Sequence, residues 1–387
     1  MKVLKHIAGL LLVIVGIIVV RTFMHAPAPM ADVTQVNIDI DSNVVAQHLS
    51  ESITFKTVSN QSIGDKKAEE FDGFIQWVKD TYPQVNQQLE LVMLNQTLLY
   101  KWQGSDASLK PILITGHYDV VPVIPGSEDK WQHPPFEGKI VDGIVWGRGA
   151  LDDKSGVVGM LEATTFLLAD GFQPARTVYL SFGHDEEIGG PMGAAAVTAY
   201  LKEQNVQLAW SLDEGSFLFK GMFPGVDNLI ASINVAEKGS VTLDIVATAA
   251  GGHSSMPPEN NAVGVLAKAI NKLEEYPVPG GLQGLSATMF DEISRYFEFP
   301  MRMLFANRWL FDSLIDRQLS SVTFSNAMLR TTTAPTMLSG SVKTNVLPIE
   351  AIATVNFRVH PRDTPESVQA YVESVVADEQ ITVRSRG

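Results

Sequence analysis

The 387-residue chain contains no cysteine, which removes disulfides, thiolate nucleophiles and thiolate metal ligands. Any metal it binds must rest on His, Asp and Glu. Positive charge is also in short supply. Against 43 Asp and Glu stand 29 Lys and Arg, for a formal net charge of −14, and no run of basic residues is visible. A phosphate backbone would be repelled by such a chain, so no nucleic acid partner is expected. There are only eight histidines, so the position of each is informative. Internal repeats and low-complexity tracts are missing too. At 45% hydrophobic residues, the chain is long and apolar enough to build two domains, each with its own core.

One long apolar run is present. Lys2 and Lys5 precede "IAGLLLVIVGIIVV", residues 7–20, with the charged start and hydrophobic middle of an export signal. Fourteen apolar residues are short for a span. The following "RTFMHAPAPMADV" offers only poor, proline-crowded cleavage sites. The expectation is an uncleaved membrane anchor, with the remainder facing the periplasm, lumen or exterior; cleavage and secretion is the alternative.

Beyond it the pattern is mixed up to about residue 103. Helical periodicity runs through "DSNVVAQHLSESITFKT" and "AEEFDGFIQWVKDTY", and alternation through "LELVML" and "TLLYKW". Strand and helix signals then alternate. "PILITGH" reads as a buried strand, "GKIVDGIVWGRG" as a hairpin, "SGVVGMLEATTFLLADG" as a helix, "RTVYLSFG" as a strand, "GPMGAAAVTAYLKEQ" as a helix and "LAWSLDEG" as a strand entering a loop. This is the pattern of a mostly parallel sheet with helices on both faces. From about residue 234 it changes to α+β: strands "KGSVTLDIVATAAGG" and "EAIATVNFRVH", helices "NNAVGVLAKAINKLEEY" and "PESVQAYVESVVAD". An apolar insertion rich in aromatics and methionine is expected over 277–341, as a lining for apolar substrate groups, as extra core or as a dimer contact. The expected organisation is anchor and linker (1–35), an α/β domain (36–235) and an α+β lid or dimerisation domain (236–387).

Four clusters fall where strands end or loops begin: His117/Asp119, Asp152/Asp153, Glu186/Glu187 and Asp213/Glu214. In open parallel sheets the carboxyl ends of the strands line one crevice, so these groups can meet. Acidic pairs gathered there repel one another by several kcal/mol on Coulomb reasoning unless cations compensate. With nitrogen and oxygen donors only, the fitting ion is Zn²⁺, with Mn²⁺ or Co²⁺ as substitutes. His117 suits a ligand. Asp119, two residues on and on the same side of an extended backbone, can accept the other imidazole N–H and fix its tautomer. The side chains of Glu186 and Glu187 diverge, so one can hold metal while the other acts as general base and then acid. One carboxylate of Asp152-Asp153 could bridge two ions.

At these residues the sequence resembles the dinuclear zinc exopeptidases and amidohydrolases that include carboxypeptidase S and aminoacylase-1. The ordered motifs are "GHYDVVPV", "WQHPPFEGKI", "WGRGALDDKSG", "FGHDEEIGG", "LDEG", "GGHSSMPP" and "TNVLP…NFRVHP", from about residue 45 onward. "GHDEE" and "GGHSSMPP" favour the carboxypeptidase S branch. The resemblance implies that two zinc ions are held by His117, by Asp152 as the bridge, by Glu187, and by Asp213 or Glu214. It implies a cis bond between Asp152 and Asp153, and Glu186 as the general base. It places His253 and Asn345 at the substrate carbonyl and Arg358 at its terminal carboxylate, for which a guanidinium fork is suited. The implied activity is amide hydrolysis releasing an amino acid, from a short peptide or an N-acyl amino acid, in a homodimer. Family members end with a further His ligand after returning to the first domain. This sequence stops at "ITVRSRG", so that segment is expected to lie beyond it. The contrasting expectation is a non-catalytic, membrane-anchored binding protein with an incomplete metal site.

Overall fold

The computed structural model describes residues 2–29, 38–60, 67–215, 218–223 and 226–386. Residues 30–35 of the expected linker fall outside these. Two units are present, Thr34–Gly215 and Met1–Val33 with Ser216–Gly387.

The chain starts with helix α1 (Lys2–Met24). The helix is longer than the fourteen-residue apolar run because Val3, Leu4, Thr22, Phe23 and Met24 continue it, giving a span-length segment from Val3 to Met24. Its apolar side chains point outward all round: Leu4, Leu12 and Val20 are 73%, 73% and 58% exposed.

The Thr34–Gly215 unit begins with α2 (Ser42–Thr54), α3 (Ala68–Thr81) and α4 (Pro83–Gln88), followed by the hairpin β1 (Glu90–Leu94) and β2 (Thr97–Trp102). Then come β3 (Ile112–His117), the small hairpin β4 (Ile140–Val141) and β5 (Ile144–Val145), α5 (Lys154–Ala169), β6 (Val178–Gly183), α6 (Ala194–Glu203) and β7 (Ser211–Leu212). The sheet order is β1-β2-β6-β3-β7. β3 runs parallel to both β6 and β7, while β2 and β1 add antiparallel strands at one edge.

Side-chain alternation along β2 and β6 explains why both faces carry helices. Leu98, Tyr100, Leu180 and Phe182 join a core with Phe71, Phe74 and Val78 of α3 and with Val157 and Leu161 of α5. Leu99 and Tyr179 point the other way, onto Val197 and Leu201 of α6. The buried positions of α3 (71, 74, 75, 78) follow the i, i+3, i+4, i+7 spacing of one helical stripe. Asp153 caps α5 by accepting the Gly156 N–H at 3.2 Å.

In the second unit the short hairpin β8 (Leu218–Phe219) and β9 (Ile230–Ala231) precedes β10 (Gly239–Thr248), β11 (Gly252–His253) and α7 (Ala262–Glu275). Helices α8 (Gly284–Ser294), α9 (Phe299–Ala306), α10 (Arg308–Ser320) and α11 (Thr323–Leu329) follow. The segment closes with β12 (Thr332–Ser339), β13 (Val346–Leu347), β14 (Glu350–Val359), α12 (Pro365–Val376) and β15 (Ile381–Ser385). An antiparallel sheet in the order β12-β14-β10-β15 packs its Leu243/Ile245/Val355/Phe357 face on α7 and α12.

The insertion differs from the expectation over 277–341. Its helices end at Leu329, and β12 belongs to the sheet, paired with β14. Pro335 hides this strand in the sequence. A proline is tolerated there because β12 is an edge strand whose register shifts between Pro335 and Met337. Helices α8–α11 build a separate small core from Phe290, Ile293, Phe297, Phe305, Ile315 and Leu329.

Candidate metal centre

Strand β3 delivers His117 at its carboxyl end, and parallel pairing sets His117 opposite Gly183 of β6. The Glu186/Glu187 turn follows β6, and the Asp213/Glu214 turn follows β7. The register of three neighbouring parallel strands thus gathers residues about a hundred positions apart in sequence. His117 is closely surrounded: its ring is 2% exposed, and its Nε2 lies 3.0 Å from Asp152 Oδ1, 3.3 Å from Glu214 Oε2 and 3.7 Å from Glu186 Oε2. Ligand atoms of His117, Asp152 and Glu187 lie within 4.8 Å of one another, as do those of His117, Glu186 and Glu214. Asp213 belongs to neither group; its Oδ1 accepts the Glu214 N–H at 3.0 Å. The Asp152–Asp153 bond is cis, as the resemblance implies.

The other ring nitrogen faces inward. His117 Nδ1 lies 3.0 Å from the Asp119 carbonyl oxygen and 3.3 Å from Asp119 Oδ1. Asp119 is fully buried. Its Oδ2 accepts from Ser59 Oγ at 2.6 Å and Glu187 N at 3.2 Å, and its Oδ1 accepts from Glu186 N at 3.1 Å. One carboxylate therefore fixes both the imidazole and the glutamate turn.

With Nδ1–H donating, a neutral ring would aim the Nε2 lone pair at three carboxylates that have nothing to donate when ionised. That arrangement is repulsive unless Nε2 carries a proton or a cation sits among these atoms. The donor set, one imidazole nitrogen and several carboxylate oxygens without sulfur, fits a divalent metal.

The charge crowding displaces the titration of His117, Glu186 and Asp153. Burial alone would lower the His117 pKa, but hydrogen bonds to Asp119 and Glu214 outweigh it and push it up to about 12. Burial, then the neighbouring Glu214, Glu187 and Asp119, raise Glu186 to about 7 against the opposing pull of His117. Burial and Glu214 raise Asp153 to about 7. Burial also lifts Glu187 and Asp213. Asp119 goes the other way: burial pushes it up, but His117 and Ser59 together hold it below the ordinary value.

Three further residues support the site; of these the sequence reading named only Asp153, as one of the pair that could bridge two ions. Asp153 is 6% exposed and accepts the His117 N–H at 3.3 Å. Ser59 comes from the segment after α2. Its closeness to Asp119 depends on the parallel bridge between Val58 and Val120, which no local pattern announces. Lys154, fully buried, donates to the Ser52 and Phe55 carbonyls, each at 2.7 Å. Burial lowers its pKa to about 7. The adjacent "DDK" could have pointed to Lys154 as well, but sequence does not show which side chains turn inward.

The remaining predicted residues lie in the second unit. His253 on β11 and Asn345 come together: Asn345 Nδ2 lies 3.5 Å from His253 Nε2, and His253 Nδ1 is 2.8 Å from Ser255 Oγ. Pairing of His253 with Val346 across β11 and β13 sets this closeness. Arg358 lies on β14 with an exposed side chain, in register with Ser240 and Thr332.

A sheet whose parallel strands end in an imidazole surrounded by carboxylates defines an α/β protein equipped for a divalent metal. Residues 113–308 match Peptidase family M20/M25/M40, and residues 235–383 match the peptidase dimerisation domain. The chain belongs to this peptidase family. It is 42% identical over 344 residues to a probable carboxypeptidase S-like 2 of Dictyostelium discoideum, covering 88% of this chain and 66% of that protein. It is 39% identical over 326 residues to the human N-fatty-acyl-amino acid synthase/hydrolase PM20D1, covering 84% and 64%. The chain therefore spans just under two thirds of the length of these relatives. Among solved structures, a metallo-carboxypeptidase of the same family from Sulfolobus solfataricus superimposes with a TM-score of 0.55 at 19% identity, over 89% of this chain and 78% of that one. This last likeness supports the fold, a catalytic α/β domain with an α+β dimerisation domain.

Proposed function

We propose that the protein is a zinc-dependent hydrolase that cleaves an amide bond to release an amino acid. The observation that carries this reading is the placement of His117 Nε2 among the oxygens of Asp152, Glu214 and Glu186. His117, Asp152, Glu187 and Glu214 are the residues that would hold two ions. Zinc is favoured by the nitrogen and carboxylate donors. When bound, the metal supplies Lewis acidity at the substrate carbonyl and lowers the pKa of water.

Glu186 is the general base. Its carboxylate lies beside those assigned to the ions, with Oε2 3.7 Å from His117 Nε2, where it can accept a proton from water and return it to the leaving amine. Asp119 holds the His117 ring and, through the Glu186 and Glu187 N–H groups, the turn that carries the base. The His253–Asn345 pair is assigned to the carbonyl oxygen of the substrate and Arg358 to its carboxylate, as the family motifs imply. The names of the relatives support two substrate classes, C-terminal peptides and N-fatty-acyl amino acids.

We assign α1 as a retained membrane anchor. Polar contacts hold its final turns to the folded unit: Arg21 Nε donates to the Ala306 carbonyl at 3.0 Å, and Asn307 Nδ2 to the Ile18 carbonyl at 3.2 Å. These contacts support the reading of a segment that stays with the folded unit. We further assign domain limits at 1–35, 36–235 and 236–387, and a homodimer formed through the dimerisation domain.

Glu186→Gln tests the reading. Zinc should still bind while turnover of short peptides and N-acyl amino acids falls by ~10²–10⁴-fold. Turnover within a few-fold of the parent would reject the assignment.

A further inference from the structure

Among the described residues, the last turns of helix α1 contact the end of α8 and the junction of α9 and α10. Asn307, fully buried between those helices, donates to the Ile18 carbonyl and lies 3.4 Å from Thr22 Oγ1, itself fully buried. Arg21 bonds Ala306, His25 Nε2 is 2.9 Å from Ser294 Oγ, and the Phe23 and Phe299 rings are 5.7 Å apart. These contacts involve only the last turns of a helix whose preceding apolar turns are exposed. A helix hydrophobic all round requires lipid or protein around it. If α1 crosses a bilayer, its last turns lie at the surface, and α9 and α10 are held at that level.

The side chains that α9 and α10 present outward suit that position. Phe299, Met301, Trp309, Leu310 and Leu314 are 40%, 42%, 58%, 50% and 53% exposed. On α10, residues 309, 310 and 314 fall on the side opposite buried Ile315. The Trp309 indole N–H points to Asn307 Oδ1 at 3.4 Å, so this ring adjoins the residue that grips α1. Aromatic side chains with one polar edge concentrate at the headgroup level of bilayers. Such a cluster of exposed apolar groups in a chain of net charge −14 calls for an occupant.

We propose that α9 and α10 form a membrane-resting platform: Phe299, Met301, Trp309, Leu310 and Leu314 sink into the interfacial layer of the phospholipid leaflet in which α1 ends. The chain is then held by a span and a second, interfacial contact, which fixes its rotation relative to the bilayer. This rests on the reading of α1 as an anchor, and the test separates the two.

The cysteine-free sequence allows single labels. Leu310→Cys, Leu314→Cys, Val13→Cys and, as a solvent-facing control, Glu366→Cys are each labelled with an environment-sensitive fluorophore in the full chain, reconstituted in phosphatidylcholine vesicles. Expected are quenching of labels 310 and 314 by spin-labelled lipid and aqueous iodide quenching about threefold or more weaker than at 366, as for interfacial helices. Iodide access at 310 and 314 equal to that at 366, with the Val13 label quenched by lipid, overturns the platform and leaves the anchor standing. Iodide access at Val13 as well removes the anchor and the platform with it. Protection at 310 and 314 without lipid quenching shows that protein, such as a second copy of the chain, covers this face, and also overturns the proposal.

Discussion

Asp119→Asn is the most discriminating perturbation of the site, because shape is preserved and only charge and acceptor capacity change. Each carboxylate oxygen faces two donors: Oδ2 takes Ser59 Oγ and Glu187 N, and Oδ1 takes Glu186 N with His117 Nδ1 3.3 Å away. Whichever way the asparagine is turned, its NH₂ confronts two donors. The cheaper orientation puts the NH₂ toward Ser59, whose hydroxyl can rotate and accept; the Glu187 N–H is then left without a partner inside a fully buried pocket. Hydrogen bonds to charged groups contribute ~1.5–3 kcal/mol each, so the loss should be about 3 kcal/mol of folding stability. Freeing the ring and the glutamate turn should also weaken zinc binding by roughly 10–100-fold, as loss of an orienting partner of a ligand does. Urea denaturation of the metal-free protein reads the first quantity and competition with a chelating dye the second. Ser59→Ala serves as scale, since it removes one bond and keeps the charge, for about 1.5 kcal/mol. Stability of Asp119→Asn within about 0.5 kcal/mol of the parent, or a smaller loss than for Ser59→Ala, would refute the view that this carboxylate organises the site.

Other outcomes follow from the same cluster. Asp153, raised from 3.8 to about 7, binds more protons when folded than when unfolded between those values, so the metal-free fold loses stability as pH rises from about 4 to 7. At ~1.4 kcal/mol per unit the effect is on the order of 4 kcal/mol. His117, raised from 6.5 to about 12, continues the decline above pH 6.5. Denaturation midpoints of the chelator-treated protein should therefore fall from pH 5 to pH 9, and added zinc should restore them at the upper end; midpoints that rise over this interval would contradict the crowding. Gly116 lies on β3 with no room for a methyl group, because an added Cβ would stand 2.5 Å from Asp153 Oδ2 and 2.8 Å from Met160 Cε. Gly116→Ala should cost about 1–3 kcal/mol by overpacking and, by shifting Asp153, should also weaken zinc binding; a calorimetric scan and a zinc titration check both.

Much of the α/β unit is legible in the sequence because local pattern and tertiary role agree there. "PILITGH" and "RTVYLSFG" are apolar enough to be buried on both faces, and α5 starts directly after Asp153, which caps it. The insertion is less legible. Pro335 and the threonines around it read as loop, and only their place at the edge of an existing sheet makes them a strand. Helices α8–α11 carry large apolar residues on more than one side, so residue type alone does not divide those that line a common core, such as Phe290 and Phe305, from Trp309 and Leu310, which are exposed.

The sequence by itself determined the chemistry available to the protein: no sulfur ligands, a surplus of carboxylates, and one histidine at the end of a buried strand. These follow from residue type and local order, which tertiary structure cannot change. Tertiary structure alone decided which carboxylates share space with His117. Asp213 and Glu214 are neighbours in the chain, yet only the Glu214 side chain comes within 3.3 Å of Nε2. Ser59 reaches Asp119 across sixty positions. The reason is geometric: contact between distant residues is set by the register of β3 against β6 and β7 and by the direction each side chain takes there. Neither is encoded in spacing along the chain.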